Sequence, residues 1–273
     1  MKIKEIQAKS IITKSNLPAS DFVINPYTGC SHACIYCYAR FMMRFTGHDE
    51  EWGEFVDVKI NAPELIPKLG DKYKSKSITI GSVTDPYQKC EEEYKITRNI
   101  LEKLSLFDSS FDIITKSDLV ARDIDLLKKF RDLTVAFSIG QADDRIRERL
   151  EPGAPSIENR IKVLKILYDN NIRTAVFISP IFPMLSDWKK IIELTKQYAD
   201  EYWFENLNIY PSVRENIYKF LKNNYPELID KYREIYKDEK IYWDGVENEI
   251  KDFCKKGQVN YKIYFHHKDI KKK

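Results

Sequence analysis

The chain contains no run of about 18 apolar residues, so nothing in it is suited to crossing a membrane as a helix. Its opening, MKIKEIQAKS, places lysines where a secretory signal would need an apolar core, and a soluble, cytoplasmic protein is expected. No Pro/Gly/Ser-rich linker, low-complexity tract or internal repeat divides the 273 residues, which suffice for one large core, so a single domain over 1–273 is expected. Strong charge of either sign is also missing. With 45 Lys and Arg against 42 Asp and Glu, the net charge of +3 is too mild to imply a nucleic-acid binder from composition. The odd count of five cysteines, of which Cys90 and Cys254 stand alone, argues against a disulfide framework. No second CxxC and no HxxxH is present, so a closed structural zinc site lacks its usual second pair of ligands.

What is present is concentrated between residues 25 and 44, NPYTGCSHACIYCYARFMMR. Cys30, Cys34 and Cys37 fall within eight positions of one another, behind a strand-like segment. Three thiolates hold three corners of a cubic 4Fe-4S cluster and leave the fourth iron open for chemistry. A zinc-binding structural protein is the competing reading of the same residues.

The CxxxCxxC spacing with Tyr36 before the last cysteine resembles the radical S-adenosylmethionine (SAM) superfamily. TDPYQ (84–88), ITKS (114–117), RLEPGAPS (149–156) and SPIFP (179–183) resemble its spore photoproduct lyase-like branch, and ARFMMRFTGH (39–48) resembles the mobile pair proteins of that branch. The matches run from about residue 20 to about residue 210. The resemblance implies a 4Fe-4S cluster whose open iron binds SAM and cleaves it reductively, giving a 5'-deoxyadenosyl radical that abstracts a hydrogen atom from substrate. It also implies an electron donor such as flavodoxin or ferredoxin. A monomer is expected.

Apolar, partly β-branched runs at 22–27, 77–82, 111–116, 133–139, 173–179 and 202–208 read as strands. Helical patterns at 94–104, 122–130, 157–168 and 188–198 separate them, and another helix carries residues 37–44. Six strands with helical crossovers predict an α/β protein with a parallel sheet. The resemblance implies that the sheet curls into a six-stranded partial (β/α) TIM-like barrel of the radical SAM type, its core at about 20–210 and an extension over 211–273. Short extra strands are expected within 47–61 and 259–266.

The reactive end of such a barrel is the C-terminal edge of its strands. There the resemblance places SAM contacts at Thr84, Lys116, Ser138 and Ser179, with Lys116 as charge partner for the SAM carboxylate. Read alone, a strand-end hydroxyl is a turn or cap residue and a strand-end lysine is solvated. Tyr36 and Tyr38 flank Cys37, either to take part in radical return near the substrate, as the resemblance implies, or to pack around the cluster. Asp85 and Pro86 read as turn chemistry, and Tyr87 as a candidate for the pocket wall. The lyase keeps a hydrogen-donating cysteine where this chain has Val83, and Cys90 is the nearby substitute, against the plain alternative of a buried small residue. Arg145, Arg147 and Arg149 are neutralised by Asp143, Asp144, Glu148 and Glu151 and read as a salt-bridged face, with Arg149 and Glu151 as candidates to face the pocket. Glu205 and Asn206 end the sixth strand and are candidates, by the same logic, to contact SAM or substrate. His266 and His267 point to opposite faces if they lie in a strand, which argues against one shared ion. The tail HHKDIKKK is a solvated end or a phosphate contact.

The substrate is not legible, and nucleic acid is one candidate. The reading is a radical SAM enzyme of lyase or oxidoreductase type; the alternatives are a nucleic-acid lyase or base-modifying enzyme, and a non-catalytic iron-sulfur or SAM-binding sensor.

Overall fold

The computed structural model describes residues 1–265; His266, His267 and the HHKDIKKK tail lie outside them. Eleven strands are formed among the described residues: β1 (Lys2–Ile6), β2 (Ile12–Lys14), β3 (Phe22–Ile24), β4 (Tyr27–Thr28), β5 (Phe55–Lys59), β6 (Ser77–Ile80), β7 (Ser110–Thr115), β8 (Leu133–Ser138), β9 (Arg173–Ile181), β10 (Glu201–Asn206) and β11 (Tyr261–Ile263). Eight of them form one sheet in the order β11-β10-β9-β8-β7-β6-β3-β2. All of its pairs are parallel except β2 with β3. The six central strands therefore follow chain order, each returning through a helical crossover, which is the winding of a partial barrel.

The barrel's two faces are written in the strands with period two. Ile78, Ile80, Phe111, Ile113, Val135, Phe137, Val176, Ile178, Tyr202 and Phe204 join the main core. The alternate positions form a separate inner group, in which Ala136, Ala175 and Trp203 pack with Ile114, Phe177 and Tyr264. Polar residues occur on this inner face too, and they line a cavity.

Three expected elements differ. The first expected strand splits into β3 and β4, which belong to different sheets; Pro26 between them has no amide to continue a ladder. The expected helix at 122–130 shortens to Ile124–Leu127 behind a 3-10 turn, Asp118–Asp123. The segment after the cysteines is the 3-10 helix Tyr38–Phe45, with Cys37 outside it at the cap. Strand β5 meets the expectation of a strand within 47–61, and β11 that of one at 259–266. Strand β5 pairs with β1 and β4 in a second, three-stranded sheet beside the cysteine loop. Among the described residues no helix is long and apolar enough to cross a membrane.

Candidate active site

The cysteine loop leaves β4 through Gly29, whose φ of +87° suits glycine and whose absent Cβ would lie 2.4 Å from the Phe55 carbonyl oxygen. Two segments hold the loop from outside. From the turn after β6, Gln88 accepts from the Ser31 amide (2.8 Å) and donates to the Gly29 carbonyl (3.2 Å) and the Thr84 hydroxyl (3.1 Å). Thr84 itself donates to the Gly29 carbonyl at 2.7 Å. From the segment after residue 149, the Leu150 carbonyl accepts from Ile35 and the His32 carbonyl accepts from Gly153, both at 3.0 Å.

His32 joins the two braces. Its Nε2 lies 2.9 Å from Asp85 Oδ2 and its Nδ1 lies 3.1 Å from the Gly153 carbonyl. Asp85 also accepts from the Tyr87 and Lys116 amides and the Thr115 hydroxyl. Burial opposes its ionisation, but His32 and these donors outweigh burial and hold the carboxyl at about 2.

Cys30, Cys34 and Cys37 line one cavity of about 260 Å³ together with Tyr36, Tyr38 and Val83. Thr84, Lys116, Ser138, Ser179, Glu205 and Asn206, from the ends of five strands, line it as well. Burial pushes all three thiols up, Cys34 to about 12, so a bound cation is what would favour their thiolates. The residues fit an iron-sulfur cluster. The His32 and Ala39 amides face the Cys30 and Cys37 sulfurs, and Trp52 and Phe55 pack on the same loop, a shell of the kind that tunes such clusters. Among the described residues no three His, Cys, Asp or Glu side chains are gathered about a single ion. Burial also opposes the charge on Lys116, yet its electrostatic interactions with the neighbouring acidic groups Cys34 and Glu151 outweigh burial and raise that pKa. Its Nζ lies 5.9 Å from the centre of the Tyr36 ring.

Several of these polar groups are already engaged. Tyr36 donates to Glu151, Tyr38 to the Ser82 carbonyl, and Ser179 to Glu205. Glu151 is buried beneath the loop, bonded to Arg160 at 2.5 Å, and Arg160 also reaches the Ser138 carbonyl at 2.9 Å. Cys90 is placed elsewhere. It sits in the main core, 5% exposed, with its thiol pushed up to about 12 by burial and the nearby Glu91. Tyr87 is fully buried and is not part of the cavity wall.

Arg145 and Arg147 form the expected ion pairs, with Asp143 and Asp144. Sequence reasoning missed Gln88, His32 and Arg160. Arg160 did leave a signal, since it shares the apolar stripe of the helix Ile157–Asp169 with Ile157, Val163, Leu164 and Leu167.

The family profile described as the Radical SAM superfamily matches residues 24–195. The chain belongs to the radical SAM superfamily. Among proteins similar to it, an uncharacterised protein of Methanocaldococcus jannaschii is 42% identical over 227 residues, 83% of this chain and 85% of that one. A radical SAM Nalpha-GlyT isomerase of Pseudomonas phage M6 is 25% identical over 64% of this chain and 36% of its own length. Among solved structures, a cysteine-to-serine mutant of spore photoproduct lyase superposes with a TM-score of 0.70 at 15% identity, over 96% of this chain and 82% of that one. Streptococcus suis SuiB bound to SAM gives 0.56 at 15% identity, over 91% and 50%. These superpositions show the radical SAM partial barrel.

Proposed function

We propose that this radical SAM enzyme holds one 4Fe-4S cluster on Cys30, Cys34 and Cys37 and cleaves SAM reductively to abstract hydrogen from a nucleoside-bearing substrate. One observation carries the reading: three thiols on one loop share a cavity with Lys116, Ser138, Ser179 and Glu205 from four strand ends. When bound, cluster and SAM together supply an electron and a carbon-centred radical able to take a hydrogen atom. Lys116 offers a fixed ammonium to the SAM carboxylate, a charge-assisted contact. Ser138 and the Ser179–Glu205 pair offer polar groups to the rest of SAM, and Trp52 and Phe55 exclude water behind the sulfurs. Thr84 has its hydroxyl engaged with Gly29 and Gln88, so its part is to hold the loop.

The nucleoside-bearing substrate draws support from the fold shared with spore photoproduct lyase, one structure of which is complexed with dinucleoside spore photoproduct and superposes with a TM-score of 0.69. The lyase's own route is disfavoured here. Val83 lines the cavity, and among the described residues no thiol beyond the three of the loop does so. Clean repair of thymine photoproduct DNA is therefore not expected.

The deciding experiment is anaerobic reconstitution followed by dithionite and SAM. About four irons per chain and formation of 5'-deoxyadenosine are expected, with iron lost on replacing any one of the three cysteines by alanine. A full cluster without 5'-deoxyadenosine would indicate a sensor, and stoichiometric zinc with no cluster would overturn the reading.

A further inference from the structure

The cavity continues below the strand ends. On β7 and at the position just after it the inward side chains are Asp112, Ile114 and Lys116, and all three line it, as period-two alternation requires. Asp112 lies four residues before Lys116, about 13 Å deeper along the strand. Thr79 and Thr134 are its register neighbours on β6 and β8. An aromatic wall borders the same cavity, and its Tyr264 lies close enough to Asp112 to sense the charge of that carboxylate. Phe177, Trp203 and Tyr264 line the cavity, with ring centres 5.9, 6.4 and 6.2 Å apart in edge-to-face pairs. Ala136 and Ala175 leave the space behind it.

Two polar groups here lack a structural explanation. Trp203 is 4% exposed, and its indole N–H finds no hydrogen-bond partner among the described residues. Asp112 receives no hydrogen bond from a described side chain; the charges it senses are Lys262, Glu201, Asp132 and Arg173. Both cations are committed to Glu201, Lys262 at 3.1 Å and Arg173 at 3.5 Å. Burial consequently raises the Asp112 carboxyl to about 6. A carboxylate with no donor among the described residues, on the wall of a cavity, marks a place where a ligand supplies one.

We infer that Asp112 determines specificity in a second subsite on the barrel floor, accepting a hydrogen bond from a ring N–H or exocyclic amine of a planar nitrogen heterocycle held against Phe177, Trp203 and Tyr264. This rests on the proposed nucleoside-bearing substrate and says which end enters first. An anionic acceptor beside aromatic rings repels phosphate and carboxylate and takes the base end, leaving any phosphate at the mouth. The floor recognises and the strand-end level reacts.

The test titrates the reconstituted, SAM-loaded protein with thymidine, deoxycytidine, deoxyadenosine and deoxyguanosine by calorimetry. At least one binds at pH 7, and Asp112→Asn weakens that binding about tenfold, as the loss of a charged acceptor implies. Blocking the donor, as N3-methylthymidine does for thymidine, costs the parent a similar factor and the variant little. Parent affinity falls from pH 7 to pH 5 as Asp112 takes its proton, whereas the variant's stays flat, a difference that a merely structural role does not produce. Equal affinities of parent and variant, a flat parent profile, or no binding of any of the four nucleosides overturns the inference. Failure of the parent to cleave SAM overturns the proposed function instead, because the titration needs no turnover.

Discussion

Lys116 is a half-buried lysine whose charge is opposed by burial and favoured by its acidic neighbours Cys34 and Glu151. The proposed function gives it the SAM carboxylate as a ligand and no share in holding iron. Lys116→Ala is expected to weaken SAM binding roughly 10- to 100-fold, the worth of a charged hydrogen bond, with the iron count unchanged; unaltered SAM affinity would refute the assignment. Gln88 acts differently, since it touches the loop backbone and lies outside the cavity wall. Gln88→Ala leaves the Ser31 amide without its partner, at a cost of about 1–3 kcal/mol. Reconstitution of that variant should give fewer than the parent's irons although no ligand is lost, and full loading would show that the brace is dispensable.

The cysteine loop works as an element because two other elements grip it, and Gly153 shows how closely. A Cβ at Gly153 would lie 2.0 Å from the Ser31 carbonyl oxygen, so Gly153→Ala must push the loop away from the segment that holds His32. Lower iron loading and a loss of about 1–3 kcal/mol in stability are expected. Gly245 is the control. It lies exposed in the helix Glu239–Lys256 with nothing within 4 Å of an added Cβ, so Gly245→Ala should stabilise by about 0.5–1 kcal/mol with full loading. Equal behaviour of the two alanine variants in chemical unfolding would contradict the cradle.

At the scale of the whole barrel, placing a carboxylate inside costs stability. Asp112 titrates near 6 in the folded chain, against 3.8 as its ordinary value. The stabilisation that its proton provides is complete below the unfolded value and is lost as pH rises through about 6, so at pH 7 the folded protein carries the full penalty. Two pKa units correspond to about 3 kcal/mol at most. Asp112→Asn should therefore raise Tm at pH 7 by a few degrees, roughly, and the gain should vanish near pH 4. A variant less stable than its parent at pH 7 would show that the carboxylate has a structural partner.

The cysteine spacing and the six apolar runs were legible in the sequence because both are local: ligand spacing fits one loop, and strand periodicity is a property of four to eight neighbours. The polar residues inside those runs, Asp112 in FDIITK above all, were equally visible, but only the closing of the sheet turned their face into a cavity wall. Cys90 and Val83 show the limit clearly. They are seven positions apart in the chain, yet Val83 faces the cavity and Cys90 lies in the main core, since the turn at Asp85 and Pro86 sends the chain away from the barrel mouth. The grip of Gln88, Asp85 and Gly153 on the cysteine loop spans 53 to 121 residues of sequence. Hydrogen bonds of that reach leave no local pattern, and only the tertiary structure decided them.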